Sequence, residues 1–188
     1  MKKLFFPGLL FFSFLLQSCG TSYNEKEIKN YRFYGVEMSS EITKELKLLV
    51  GIFNQKVGLT VLTWVNDPVD ANSSIIVVSG LDDPEGYIGF GQMLSETEQD
   101  NPMNSPFSTP QRTTTYSMRI ELDKEYLEAR LDGTVQNRYE LKKLFFHEIG
   151  HGLEMDHDPD QNAVMFKDVS GQKDFDTYFK NVRAYLAK

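Results

Sequence analysis

The chain has 188 residues, of which 40% are hydrophobic and 25% charged, so it can bury one substantial core and is too short to require two. Its formal net charge is -7, and no lysine- or arginine-rich block offsets the acidic excess, which argues against a phosphate-binding surface. We therefore expect one compact, monomeric domain with no nucleic-acid partner.

The N-terminal segment predicts export. Lys2 and Lys3 precede an apolar run at residues 4–16, which is too short to span a bilayer as a mature helix. The sequence Leu-Gln-Ser-Cys-Gly at residues 16–20 resembles the bacterial lipobox, which implies removal of residues 1–18 and lipidation of Cys19. Cys19 is the only cysteine, so it has no disulfide to make. The alternative is an ordinary signal peptide with an incidental cysteine. With the lipid, the protein is expected in the bacterial cell envelope, at the outer membrane or cell surface.

Residues 19–30 are polar and are expected to form a flexible spacer, followed by a folded domain at residues 31–188. The predicted elements are a strand at 31–37, a helix from Ser39 or Ser40 to Gly58, strands at 59–65 and 74–79, a weaker strand at 87–93, a strand at 116–122, a short helix or turn at 123–131, a long helix from Val135, and a closing amphipathic helix at 173–187. Residues 94–115 are polar and contain three prolines, so we expect a long surface loop there.

The long helix carries the residues with the clearest chemistry. One apolar stripe repeats every four residues and is expected to be buried; it consists of Leu141, Phe145, Ile149 and Leu153. On another face, the helix contains a His-Glu-x-x-His motif at residues 147–151. Residues four apart lie one helical turn above each other, so His147 and His151 can both reach one zinc ion at about 2.0–2.1 Å. Glu148 would act as general base toward a water that the metal activates.

The motif alone has another interpretation, a helix with two surface histidines and a solvated glutamate. His157 weakens that interpretation because it supplies a third ligand, and all three histidines of the chain lie within this stretch. The sequence therefore predicts one zinc ion bound by His147, His151 and His157.

Residues 147–157 resemble the metzincin signature His-Glu-x-x-His-x-x-Gly-x-x-His, and residues 158–165 resemble the short link of matrixins that leads to the Met-turn. The resemblance implies that Met165 is the Met-turn residue, although a core methionine is the alternative. It also implies an α+β fold: a mixed twisted sheet of about five strands, a backing helix, an active-site helix and a C-terminal helix. The activity it implies is hydrolysis of peptide bonds in extracytoplasmic proteins or peptides by a zinc endopeptidase.

The resemblance further implies that an edge strand lines the cleft and pairs with an extended substrate. The candidate strand consists of Tyr87, Ile88, Gly89, Phe90 and Gly91, whose glycines we expect to leave the backbone accessible. By the same analogy, residues 164–169 would wall the pocket for the residue after the scissile bond.

Glu154 departs from the family pattern, because a glycine usually ends the active-site helix in a left-handed conformation that costs other residues about 1 kcal/mol or more. Either the turn forms under strain or the chain reaches His157 by another route. In the second case, Asp156 or Asp158 could complete the zinc site.

Accessory metal sites have little support in the sequence. A structural zinc is not expected, because no histidine remains for it. Calcium could bind at Asp82, Asp83 and Glu85, although an acidic turn of this kind is usually only solvated.

Two other functions stay open. A non-catalytic surface lipoprotein could use zinc for stability or binding, although such a site needs no water-activating base. A zinc hydrolase could instead act on a non-peptide amide, and only the family resemblance argues against it.

Overall fold

The computed structural model describes residues 24–81, 88–100, 111–168 and 171–187. Over these ranges, the elements are β1 (Asn24–Ile28), β2 (Tyr31–Val36), α1 (Ser40–Val57), β3 (Leu62–Trp64), β4 (Ser73–Val78), β5 (Gly89–Asp100), β6 (Gln111–Asp123), α2 (Lys124–Glu128), α3 (Val135–Gly152) and α4 (Phe175–Leu186). The expected α+β class, with a mixed sheet, helices and a C-terminal helix, is confirmed.

The sheet has six strands in the described part of the chain, one more than expected. Its main order is β3-β2-β4-β6-β5, and every pair is parallel except β5 with β6. β1 also pairs with β6, on the same edge as β4 but nearer the start of β6. Between those two pairings, the hydroxyl of Ser73 accepts a hydrogen bond from the backbone N–H of Met118 at 3.0 Å. β5 pairs with β6 alone and therefore forms an edge of the sheet.

The expected surface loop at residues 94–115 is wrong at both ends. β5 continues to Asp100 and β6 begins at Gln111, so the two strands form a long antiparallel hairpin. The polar residues suggested a loop because this hairpin exposes most of its β5 side chains to solvent. All three prolines of that range lie at residues 101–110, outside the described residues.

The expected spacer also differs from the structure where the two overlap. Asn24–Ile28 forms β1, with Asn24 opposite Gln111 and Ile28 opposite Thr115. A parallel edge strand satisfies its backbone groups through its neighbour without needing apolar side chains, which explains why the polar sequence gave no strand signal. No helix in the described ranges is both long and apolar enough to cross a bilayer.

The core lies between one face of the sheet and the helices. Phe146 of α3 is fully buried and contacts the rings of Phe53, Phe175, Tyr178 and Phe179 at centroid distances of 5.2–6.1 Å. Aromatic pairs of this kind each contribute about 0.5–1.5 kcal/mol beyond the area that they bury. Because these rings belong to α1, α3 and α4, they fix α3 relative to its neighbours. They therefore also fix the residue that follows Phe146, the first histidine of the motif.

Candidate metal centre

α3 begins where the Thr134 hydroxyl accepts a hydrogen bond from the N–H of Asn137 at 3.2 Å, a standard helix N-cap. The predicted stripe is confirmed, since its four members are all buried: Leu141, Phe145, Ile149 and Leu153. The motif's face is buried as well. His147 is 5% exposed and Glu148 is 4% exposed, so neither is a solvated surface residue.

The structure brings the three predicted histidines together. The Nε2 atom of His151 lies 3.1 Å from Nε2 of His147 and 3.2 Å from Nε2 of His157. One ring nitrogen from each of the three lies within 4.8 Å of the others. Tetrahedral ligands at about 2.0–2.1 Å from zinc would be roughly 3.4 Å apart. The spacing therefore fits a single ion of that size.

Backbone carbonyls fix the tautomers of two of these rings. Nδ1 of His147 donates to the carbonyl of Val164 at 2.8 Å, and Nδ1 of His151 donates to the carbonyl of Met155 at 3.0 Å. A carbonyl only accepts, so the proton of each neutral ring is on Nδ1 and the lone pair is on Nε2. The 3.1 Å contact between His147 and His151 thus brings two lone pairs together. Such a contact is repulsive unless a cation lies between them.

The electrostatic environment favours the neutral rings that a metal requires. Burial lowers the pKa of His147 to about 4, with a smaller contribution from the neighbouring His151 and His157. Burial also lowers the pKa of His151, again with a contribution from His157. A metal ion would therefore displace no proton from either ring near neutral pH.

Glu154 adopts the left-handed conformation that the family glycine would provide, with φ of 58°. The N–H of Glu154 donates to the carbonyl of His151, and the N–H of Met155 donates to the carbonyl of Gly150, each at 2.9 Å. These two bonds form a Schellman motif, which ends α3 and turns the chain toward His157. The turn therefore forms despite the strain. The three-ligand cluster contains neither Asp156 nor Asp158, the two expected substitutes for His157.

Glu148 belongs to α3, and its side chain lies between that helix and the edge strand β5. A Cβ atom added to Gly89 would lie 2.7 Å from Cδ of Glu148, so the glycine leaves room for this carboxyl group in its observed position. The Oε2 atom of Glu148 is buried and has no hydrogen-bond partner among the residues that the structure describes. Burial raises the pKa of this carboxyl to about 8. The group can therefore exchange a proton near neutral pH.

Of the remaining predicted residues, the structure describes Met165, Ile88 and Phe90. Met165 is buried against Gly150, the helix residue between the two histidines, where an added Cβ would meet its sulfur. Ile88 precedes β5 and its carbonyl accepts from the N–H of Asp123 at 3.0 Å. Phe90 is 47% exposed and points away from α3. The other expected positions lie outside the described residues: Cys19, Tyr87, the acidic residues Asp82, Asp83 and Glu85, and Val169 at the end of the expected wall.

Sequence reasoning missed the two carbonyl acceptors, because backbone groups carry no residue signature. It also missed a packing role for the glycines of β5. They allow close packing against α3, since a Cβ atom on Gly91 would lie 3.1 Å from Cβ of His151. A signal was present, because glycines at alternate strand positions lie on the same face, where a close neighbour can be accommodated.

The fold and the site thus define an α+β protein with a group of three histidines, from the buried His147 to the exposed His157, that could hold a metal ion. No protein-family model matches the chain, and no curated protein sequence matches it. Among solved structures, the chain is similar to archaemetzincin from Methanopyrus kandleri. The match has 12% sequence identity, covers 85% of this chain and 97% of that chain, and has a TM-score of 0.48. The assignment of the site rests on the geometry described above.

Proposed function

We propose that this protein is a zinc-dependent endopeptidase of the metzincin type, with His147, His151 and His157 as the metal ligands. The observation that carries the proposal is the pair of imidazole lone pairs 3.1 Å apart, with the third imidazole 3.2 Å from one of them. The resemblance of residues 147–166 to matrixins supports the finer assignment.

Zinc at this position would polarise a peptide carbonyl and lower the pKa of a coordinated water to about 7. Val164 and Met155 hold the rings of His147 and His151 in the orientation that directs Nε2 at the ion. Glu148 is the general base, accepting a proton on its carboxylate and delivering it to the leaving amine. Its buried position against Gly89 keeps bulk water away from the carboxyl group.

An extended peptide is the substrate class that the edge strand favours. Among the described residues, β5 is paired with β6 on one side only, and its glycines pack against the helix that carries the histidines. Its outer backbone groups can therefore add a substrate strand by β-augmentation, which selects for a peptide over a small amide. The strand is longer than expected and extends to Asp100, so the pairing could involve several substrate residues.

The runner-up is a non-catalytic zinc protein. Structural zinc sites usually have four protein ligands, whereas the described residues provide three His, Cys, Asp or Glu side chains in this group. A buried carboxyl oxygen without a partner among the described residues, as Oε2 of Glu148 is, also costs stability, commonly about 1–3 kcal/mol, and a purely structural site has no use for it. Both observations favour catalysis.

We also propose that the enzyme acts outside the cytoplasm and is anchored to a membrane by a lipid on Cys19, as the lipobox resemblance suggests. The register of β1 on β6 bears on where such a tether would join the domain. Asn24 lies opposite Gln111, whereas Gly91, beside the metal centre, lies opposite Ile120. At about 3.3 Å per residue, those nine residues of β6 correspond to roughly 30 Å. The tether would therefore enter well away from the metal centre.

The test combines metal content with peptide cleavage. We expect one zinc per chain, cleavage of a peptide library by the wild type, and loss of cleavage with retention of zinc in Glu148→Gln. Zinc affinity should fall in His157→Ala but not in the matched variant Asp158→Ala. Stoichiometric zinc without any cleavage would favour the binding protein, and an unchanged affinity in His157→Ala would remove the third ligand.

A further inference from the structure

The segment between His157 and α4 holds a metal-ligand ring in place. Within it, the carbonyl of Val164 accepts the Nδ1 hydrogen of His147 at 2.8 Å, and Met165 packs against Gly150. The Met165 carbonyl accepts from the N–H of Asp158 at 2.9 Å, which ties the centre of the segment to its start. The position of the Val164 carbonyl therefore depends on the conformation of an irregular segment, whose described part includes one isolated parallel β-bridge between Ala163 and Asp174.

A buried cation braces that segment. Lys173 is 8% exposed, and its Nζ donates to the carbonyl of Gln161 at 2.8 Å and to the carbonyl of Asp168 at 2.7 Å. The ammonium also lies 5.1 Å from the ring centre of Phe166. Its two acceptors lie on either side of Val164, three residues before it and four residues after it. The Lys173 side chain thus joins the two ends of residues 161–168, the part of the segment that contains Val164.

The same residue is anchored to the active-site helix. The backbone N–H of Lys173 donates to the hydroxyl of Tyr139, a residue of α3, at 2.7 Å. A burial of this kind is costly for an ammonium group, and hydrogen bonds from a charged donor are roughly twice as strong as neutral ones. Lys173 therefore links α3 to residues 161–168. The Val164 carbonyl links those residues back to α3 through His147.

We propose that Lys173 is a positioning residue for the metal centre, holding residues 161–168 so that the Val164 carbonyl fixes the ring of His147. The inference rests on the proposed zinc site and adds a residue outside the family motif. Loss of an outer partner of a metal ligand commonly weakens metal affinity about 10–100-fold. Lys173 acts on the metal ligand indirectly, through residues 161–168 and the Val164 carbonyl, so we expect zinc affinity to weaken by about tenfold when Lys173 is replaced.

Lys143 offers a matched control. It is also a buried lysine, 1% exposed, and it donates to the carbonyl of Gly171 at 3.1 Å and pairs with Glu140 at 2.7 Å. Its carbonyl partner lies outside residues 161–168. A variant at this position should lose stability without changing how Val164 contacts His147.

The experiment measures zinc dissociation constants by chelator competition for the wild type, Lys173→Met and Lys143→Met. We expect about a tenfold weaker constant in Lys173→Met only. In the zinc-free protein, long-range 1H–15N spectra should show His147 losing its single Nδ1–H tautomer in Lys173→Met and keeping it in Lys143→Met. If Lys173→Met does not fold, Lys173→Gln replaces it, since its side chain is too short to reach both carbonyls.

The outcomes separate the two proposals. Unchanged zinc affinity and an unchanged tautomer in the Lys173 variant overturn the role of Lys173 and leave the zinc site standing. An equal loss of affinity in Lys143→Met also overturns it, because general destabilisation would then explain both. Absence of zinc binding by the wild type overturns the proposed function itself, and the role of Lys173 with it.

Discussion

Gly91 of the edge strand lies directly against His151 of the active-site helix. A Cβ atom at Gly91 would lie 3.1 Å from the Cβ atom of His151 and would also collide with the carbonyl oxygen of Glu148. The strand and the metal-binding helix therefore approach each other as closely as a glycine permits. This contact places the edge of β5 that has no partner strand in the described part of the chain beside the helix that carries His147 and His151.

Gly91→Ala should destabilise the fold and weaken zinc binding. The added methyl group meets backbone, which cannot rotate away, so we expect a loss of about 1–3 kcal/mol in the free energy of unfolding. Gly51→Ala is the control, because it lies in α1 with no atom within 4 Å of the added Cβ, and alanine there should stabilise the helix by about 0.5–1 kcal/mol. Urea unfolding measures the stability of both variants. Equal stabilities for the two variants would contradict the close packing.

Removal of zinc should lower the thermal midpoint of the wild type. The apo protein keeps the unfavourable contact between the lone pairs of His147 and His151, whereas the bound ion stabilises the fold by about 4 kcal/mol at a free concentration of 1,000 times its dissociation constant. Calorimetry with and without chelator measures the shift. In His151→Ala the chelator should change nothing, and a wild-type midpoint indifferent to zinc would count against the site.

Replacing Glu154 by glycine should relieve backbone strain. Its φ of 58° costs a non-glycine residue about 1 kcal/mol, whereas Glu154→Ala removes the side chain and keeps the strain. We therefore expect the glycine variant to be more stable than the alanine variant by about 1 kcal/mol, measured by denaturant unfolding. The reverse order would mean that the Schellman turn is not strained at this residue.

The zinc-free protein should lose stability as pH rises from about 4.5 to about 8, relative to Glu148→Gln. Burial raises the pKa of Glu148 from 4.5 to about 8, so over this window the folded state holds a proton that the unfolded state has released. The stability difference should then fall by about 1 kcal/mol per pH unit and level off above the folded pKa. Denaturant unfolding of chelator-treated samples tests this. Parallel pH curves for the two proteins would show that the carboxyl group is not held neutral.

The sequence determined the features that depend on local periodicity. Four-residue spacing placed Leu141 and Ile149 on a buried stripe and His147 and His151 one turn apart, because helix geometry fixes those relations without any partner. Capping signals likewise located α1, whose Ser39 hydroxyl accepts from the N–H of Ile42 at 3.2 Å. The α+β class was implied by the metzincin resemblance, and the predicted order of elements was compatible with it.

Only the tertiary structure decided the features that depend on distant backbone. The hairpin of β5 and β6 forms through main-chain hydrogen bonds. Its polar side chains give no sequence signal for that pairing, so its composition suggested a loop. The path to His157 depended on whether Glu154 could tolerate a left-handed turn, and packing stabilises that turn against its local cost. The orientation of the ligand rings is set by the carbonyls of Met155 and Val164, and a carbonyl has the same chemistry at every residue. Sequence thus specified which side chains could bind a metal, and the folded backbone decided how they meet.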